Sequence, residues 1–155
     1  MEDLYEQGKC LAIGVCNFNI HHLQTLFEHC KYKPMINECE CHPLFTQNKL
    51  REFCIENNIQ FLAYTSTARH DERLNNTCIV DIAKKYNKTL SQIILKWHQS
   101  IGNIPIVNTF NNKHLKEDLS LDGFNLTEEE ITRISSCNIN SRLRYDPDNC
   151  NFSKL

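Results

Sequence analysis

Four short apolar runs, each separated from the next by a segment of helical period, limit the folds open to this chain more than any other feature. The runs are Leu11-Ala12-Ile13-Gly14-Val15, Met35-Ile36-Asn37-Glu38-Cys39, Gln60-Phe61-Leu62-Ala63-Tyr64 and Ile104-Pro105-Ile106-Val107. Parallel strands buried on both faces read as nearly continuous apolar stretches, and alternation with helices implies β/α units. Such crossovers are right-handed, so successive strands lie side by side with helices outside. Four units build either half of a barrel or a small open sheet, and periodicity does not choose between them. The 155 residues make one ordinary domain. An eight-stranded β/α barrel typically needs about 250 residues.

The intervening segments carry helix-start signals. Asn19 caps a helix running to about residue 30, and Thr46 caps one running to about residue 57. Thr77 starts a further helix through Tyr86. Thr89 with Gln92, and Thr127 with Glu130, form capping boxes, in which each side chain bonds the other residue's backbone N–H. Residues 113–118 read as a short helix, and Asp146-Pro147-Asp148-Asn149 as a turn. There is no internal repeat, low-complexity tract or linker, so residues 1–155 are expected to form a single unit.

Composition excludes several classes of function. A net charge of −2 with scattered Lys and Arg gives no electrostatic case for nucleic acid or an anionic membrane surface. No segment reaches the roughly 18 apolar residues of a membrane span, and Met1-Glu2-Asp3-Leu4-Tyr5-Glu6 is not a signal sequence. A cytoplasmic protein is expected, with its nine cysteines reduced and its Asn-x-Thr sequons at Asn75, Asn87 and Asn125 unmodified. Cys39, Cys41 and His42 suggest a metal site, but strand alternation puts the two thiols on one face and His42 on the other, and no partner pair has zinc-site spacing. Glycine-rich phosphate loops and G-x-S-x-G elbows are absent.

Four motifs in order then carry a resemblance. Gly14-Val15-Cys16-Asn17-Phe18, Asn37-Glu38-Cys39-Glu40-Cys41-His42-Pro43, Ala63-Tyr64-Thr65-Ser66 and Ile104-Pro105-Ile106-Val107-Asn108-Thr109 each end a strand run. With Leu115-Lys116-Glu117-Asp118 and Arg144-Tyr145-Asp146-Pro147-Asp148-Asn149, this series resembles the aldo-keto reductases. The resemblance implies an α/β fold: the C-terminal half, about four β/α units with parallel strands, of a TIM-type (β/α)8 barrel. It also implies that the family's catalytic Asp, Tyr, Lys and His, which follow its second to fourth strands, have no counterpart in this sequence. No catalytic residue is assigned.

Members of that family move a hydride from NADPH to a carbonyl substrate, and their C-terminal half mainly holds the cofactor. By resemblance, Tyr64 stacks on the nicotinamide, with Thr65 beside it, and Cys16, Asn17 and Glu38 meet the nicotinamide amide. Asn108 and Thr109 lie near the pyrophosphate and ribose, His114 near the adenosine 2′-phosphate, and Glu117 and Asp118 near the adenine. The alternatives are plain: a rim tyrosine packed on its neighbours, polar strand ends, and a solvated helix face for His114 and Glu117. Several positions depart from the family. Cysteine replaces serine at Cys16, an ionised Glu38 only accepts where glutamine also donates, Asn108 replaces glycine, and Asp118 replaces asparagine. These changes are expected to weaken NADPH binding. Two functions therefore stand side by side: an NADPH-dependent reductase represented by half its barrel, or a non-catalytic pseudo-enzyme or interaction module of the same descent. Alone, the chain is expected to reduce no carbonyl, and its open edges are expected to drive self-association of half-barrels.

Overall fold

The computed structural model describes residues 1–150. Four strands, β1 (Gly14–Cys16), β2 (Ile36–Glu40), β3 (Gln60–Tyr64) and β4 (Ile104–Pro105), form one parallel sheet in the order β1-β2-β3-β4. Strand order equal to chain order is the winding of a barrel wall, in which each crossover steps to the next strand and helices gather on one face. This settles the choice that periodicity left open. The helices are α1 (Glu2–Glu6), α2 (Ile20–His29), α3 (Asn48–Glu56), α4 (Cys78–Tyr86), α5 (Leu90–Ser100), α6 (Asn112–Leu119) and α7 (Glu128–Ser135). Among the described residues no helix is long and apolar enough to cross a membrane.

Alternation along the strands assigns the two faces of the sheet. Asn37 and Cys39 of β2 and Phe61 and Ala63 of β3 are buried against the helices. Their neighbours Ile36, Glu38, Leu62 and Tyr64 on the other face are only half-buried, and Ile104 is half exposed. The expectation of strands buried on both faces is thus corrected. Four strands leave the inner face without the opposite wall that would cover it. Register places Cys16, Glu38, Leu62 and Ile104 in one row across that inner face, with Glu40 and Tyr64 one step further towards the strand ends.

Gly14 is a steric requirement of this sheet. A Cβ there would lie 2.8 Å from both Cβ and the carbonyl oxygen of Ile36, so β1 can approach β2 only through glycine.

The core lies between sheet and helices. It gathers Leu23, Leu50, Cys54, Ile79, Ile93, Ile94, Trp97 and Ile134, and each such Leu or Ile contributes roughly 1.5–3 kcal/mol on burial. Trp97 donates its indole N–H to Ser135 Oγ at 3.0 Å, joining α5 to α7. Both capping boxes form as expected, and Thr77 caps α4. Gln92 uses its whole side chain: Oε1 accepts from the Thr89 N–H, while Nε2 donates to the carbonyls of Glu117 and Ser120, docking the end of α6.

Boundaries moved where tertiary contacts outweighed local signals. β1 starts at Gly14 rather than residue 11, and Leu11 is 90% exposed. β4 stops at Pro105, although Ile106 still donates its N–H to the Ala63 carbonyl at 2.8 Å. Thr46 is not a cap: α3 follows Gln47, whose φ is 51°, and Thr46 is buried, its N–H donating to Asn138 Oδ1. The sequence gives no sign of α1, of the left-handed turn at Ala68–His70 or of the short 3₁₀ turn at Glu72–Asn76.

Candidate functional site

All four parallel strands point their C-terminal ends at one rim, the end where barrel folds carry their working loops. A groove of about 740 Å³ opens there. Its floor and walls come from the residue after β1 (Asn17), the end of β3 and the segment after it (Tyr64, Thr65, Ser66, Thr67, Arg69, His70), the segment after β4 (Ile106, Val107, Asn108) and the C-terminal segment (Arg144, Tyr145, Pro147).

Asn17 and Tyr64 set its geometry. Asn17 leaves β1 with φ 60°, in the left-handed region that asparagine tolerates better than most residues, while its N–H still bonds the Glu38 carbonyl at 2.9 Å. Its Oδ1 accepts the Tyr64 hydroxyl at 2.7 Å. The Tyr64 phenol is pushed up to about 12, by burial first and then by the charge of Glu40 and the neighbouring thiols. It therefore stays a neutral donor, and the bond fixes the Asn17 amide, whose Nδ2 donates to Cys16 Sγ at 3.4 Å and keeps its second N–H. Cys16, whose thiol burial and the Glu38 carboxylate push up, faces Glu38 across the β1–β2 register.

The segment after β3 bends sharply. Thr65, Ala68, Arg69 and His70 all take positive φ, between 51° and 57°. The buried Ser66 anchors it by donating to the Ile106 carbonyl at 2.8 Å, and His98 of α5 meets the Ser66 carbonyl through Nε2 at 3.1 Å. The Asn103 amide donates to His98 Nδ1 at 3.2 Å. Full burial drives His98 down to about 3, against the Ser66 bond, which favours the charged form, so the ring stays neutral. These bonds leave Arg69 and His70 exposed on the groove wall.

Glu40 fixes the opposite wall. Wholly buried, it accepts the backbone N–H groups of Leu143 at 2.6 Å and Arg144 at 3.2 Å, and contacts His42 Nε2 at 3.1 Å and Arg142 Nη1 at 3.9 Å. Burial raises its carboxyl pKa, but the His42, Leu143 and Arg144 bonds outweigh that and hold it below the usual value. A second anchor lies beside the groove, where Asp148 accepts from Asn19 Nδ2 at 2.8 Å and meets His21 and His22 Nε2 at 3.3 and 3.4 Å. These three side chains could hold a metal ion by position alone. However, His22 Nδ1 accepts the Asn19 N–H at 3.0 Å. A neutral His22 therefore carries its proton on Nε2, the atom a metal would need.

Of the residues singled out from sequence, Asn17, Tyr64, Thr65 and Asn108 line the groove. Cys16 and Glu38 lie at the same strand ends, just outside its lining. Thr109 accepts the Asn111 N–H at 3.1 Å and turns the chain into α6. His114 is exposed on α6, Glu117 pairs with Lys113 at 3.8 Å, and the Asp118 carboxyl is raised by burial against the opposing charges of His114 and His70. Cys39 and Cys41 turn towards the helices, where they bond Asn37 Oδ1 and the Thr46 carbonyl, while His42 turns to Glu40, the alternation expected. Sequence reasoning missed Glu40, Ser66, Arg69, His70 and Arg144. A carboxylate inside an apolar strand run signalled Glu40. Arg144-Tyr145-Asp146-Pro147 belongs to the family series read in the sequence, but no residue of it was singled out for the site.

A half-barrel of singly wound β/α units with a polar groove at its strand ends is the class of protein that fold and site define. The aldo/keto reductase family model matches residues 1–139, and the chain belongs to that family. It is 42% identical over 151 residues to the 9,11-endoperoxide prostaglandin H2 reductase of Trypanosoma cruzi, covering 96% of this chain and 53% of that protein. It is 36% identical to the glyoxal reductase of Bacillus subtilis, covering 98% of this chain and 55% of that protein. Among solved structures it superposes on MGS-M4, an aldo-keto reductase from a Medee basin deep-sea metagenome, with a TM-score of 0.93 at 35% identity over 97% of this chain and 56% of that one. A Gox0644 mutant in complex with NADPH gives 0.92 at 31% identity, over 97% of this chain and 56% of that one. The chain thus spans about half the length of the relatives it matches.

Proposed function

We propose that this chain is the nicotinamide-nucleotide-binding half of an NADPH-dependent carbonyl reductase, and that it reduces no carbonyl by itself. The observation that carries the reading is the 2.7 Å bond between Tyr64, at the end of β3, and Asn17, directly after β1, in one groove. NADPH, when bound, supplies the hydride. The residues supply position and charge. The Tyr64 ring offers a flat face for the nicotinamide, and the fixed Asn17 amide a donor beside Cys16 and Glu38. Arg69 and Arg144 bring positive charge, and His70, Thr65 and Thr67 bring further hydrogen-bonding groups, to a groove suited to phosphate oxygens. Asn108 and Thr109 start the segment leading to α6, where His114, Glu117 and Asp118 would meet the adenosine end.

Titration of the purified chain with NADPH, followed by tyrosine fluorescence or calorimetry, tests the reading. Saturable binding that is lost in N17A is expected, with no oxidation of NADPH when an aldehyde is added. Absence of binding to the chain, both alone and combined with the first four β/α units of a relative, would favour the second reading, a non-catalytic descendant. The departures at Cys16, Glu38, Asn108 and Asp118 speak for that alternative. Either reading predicts that the open edges of β1 and β4 pair with further strands, those of a second copy when no other chain is present. A monodisperse monomer in sedimentation at micromolar concentration would contradict this.

A further inference from the structure

We propose that Cys78 and Cys137 form a reversible disulfide that staples two walls of the groove to each other. Their Sγ atoms lie 3.9 Å apart, both side chains are half-buried, and both are free thiols. Bonded sulfurs sit about 2.05 Å apart, so side-chain rotation must close roughly 2 Å. The surroundings hold the pair in place. Cys78 is the first residue of α4, and Cys137 directly follows the C-cap of α7. The two helices are tied to each other through Glu130, which meets Lys85 at 2.7 Å and the Tyr86 hydroxyl at 2.8 Å.

What the pair would control follows from chain connectivity. Cys78 ends the segment that starts at Tyr64 and carries Thr65, Thr67, Arg69 and His70 along the groove. Cys137 begins the segment that reaches the groove as Arg144, Tyr145 and Pro147. Arg73 already donates to Ser141 Oγ at 2.7 Å between the two segments. A covalent bond at their bases would limit how far the walls can separate.

The oxidant is a peroxide. The Cys78 thiolate attacks one peroxide oxygen; an S–O bond forms, the O–O bond breaks and hydroxide leaves, giving a sulfenic acid. Cys137 then gives up its proton and attacks that sulfur; the S–S bond forms, the S–O bond breaks and water leaves. The two thiols lose two electrons in total, and hydrogen peroxide becomes two waters. The Cys137 thiol is pushed up to about 11, by burial first and then by Cys78, so little of it is thiolate until the sulfenic acid stands beside it, which suits it to the second role. A dithiol reductant reverses the reaction by exchange.

The test is stoichiometric hydrogen peroxide on the purified full chain, followed by non-reducing peptide mapping and amide hydrogen exchange. The expected result is a Cys78–Cys137 linked peptide that dithiothreitol removes. With it, exchange across residues 65–77 and 137–149 should slow severalfold, and Tm should rise by about 10 °C because the bond closes a long loop. Both C78S and C137S should abolish these changes, and a folded C78S protein controls for loss of structure. Links to other cysteines instead, or a correct link that leaves exchange in both segments unchanged, would overturn the proposal. None of these readouts requires nucleotide binding, so their failure is separate from failure of the proposed function.

Discussion

Replacing Glu40 by glutamine should loosen the C-terminal wall of the groove, and the cost can be worked from its contacts. The carboxylate is wholly buried and accepts two backbone N–H groups and His42, with Arg142 close by. Glutamine keeps one acceptor oxygen and turns the other into a donor, so one of the Leu143 and Arg144 N–H groups faces an N–H. A hydrogen bond to a charged group contributes about 1.5–3 kcal/mol, and a stranded buried donor costs about 1–3 kcal/mol. E40Q should therefore lose about 3–4 kcal/mol, within the range for breaking a buried ionic contact from one side. Urea unfolding followed by circular dichroism measures the total, and hydrogen exchange at the Leu143 and Arg144 amides locates it. The Glu40 carboxyl is held below its usual value, so its contribution is complete above about pH 4.5 and disappears as pH falls through the lower folded value. The difference between wild type and E40Q should shrink in acid accordingly. An E40Q protein within about 1 kcal/mol of wild type, with Leu143 still protected, would refute this account of the wall.

Three other perturbations probe separate parts of the account. G14A should lose about 2 kcal/mol in urea unfolding, because the added Cβ meets the backbone of Ile36 at 2.8 Å and not a side chain that can move aside; a neutral G14A would mean that β1 and β2 are not this close. His98 protonates near 6.5 when unfolded but only near 3 when folded, so its neutral form stabilises the fold fully above pH 6.5 and that stability is lost as pH falls. Wild type should lose about 2 kcal/mol between pH 6.5 and 5 from this group, at about 1.4 kcal/mol per pH unit; in H98Q that slope should be missing from denaturant titrations. Y64F keeps the ring and loses the bond to Asn17, so its NADPH affinity should fall about threefold to tenfold, and Y64A should fall further. Equal affinities in calorimetry for wild type and Y64A would remove Tyr64 from the site.

The parts of the molecule governed by local physics were legible in the sequence. The T-x-x-Q and T-x-x-E boxes formed because each satisfies two otherwise orphaned backbone groups within four residues, whatever lies elsewhere in the fold. Gln60–Tyr64 matched its predicted run residue for residue, because its turns and its buried neighbours Phe61 and Ala63 agree. Thr46 failed as a cap because a contact from Asn138, 92 residues away, drew it inwards. Leu11 is apolar but has nothing to pack on, so β1 begins later. At the site, the strand-end motifs identified Asn17, Tyr64, Thr65 and Asn108 because strand ends of a parallel sheet must share a rim. Arg69 and His70 escaped notice because a run of left-handed residues without glycine gives no compositional signal. Arg144 and Tyr145 stood in the family series but were not singled out for the site, because the bonds that bring them back end on Glu40, 103 and 104 residues away from Leu143 and Arg144.

Amide chemical shifts of the isotopically labelled chain, recorded as NADPH is added, give the most direct reading of whether this rim holds a nucleotide. Perturbations should concentrate at Asn17, Thr65, Arg69, His70 and Asn108 and leave α3 and the sheet's N-terminal edge unchanged. A saturating titration that instead moves α1 and residues 32–34, or one that moves no resonance at millimolar nucleotide, would contradict the account.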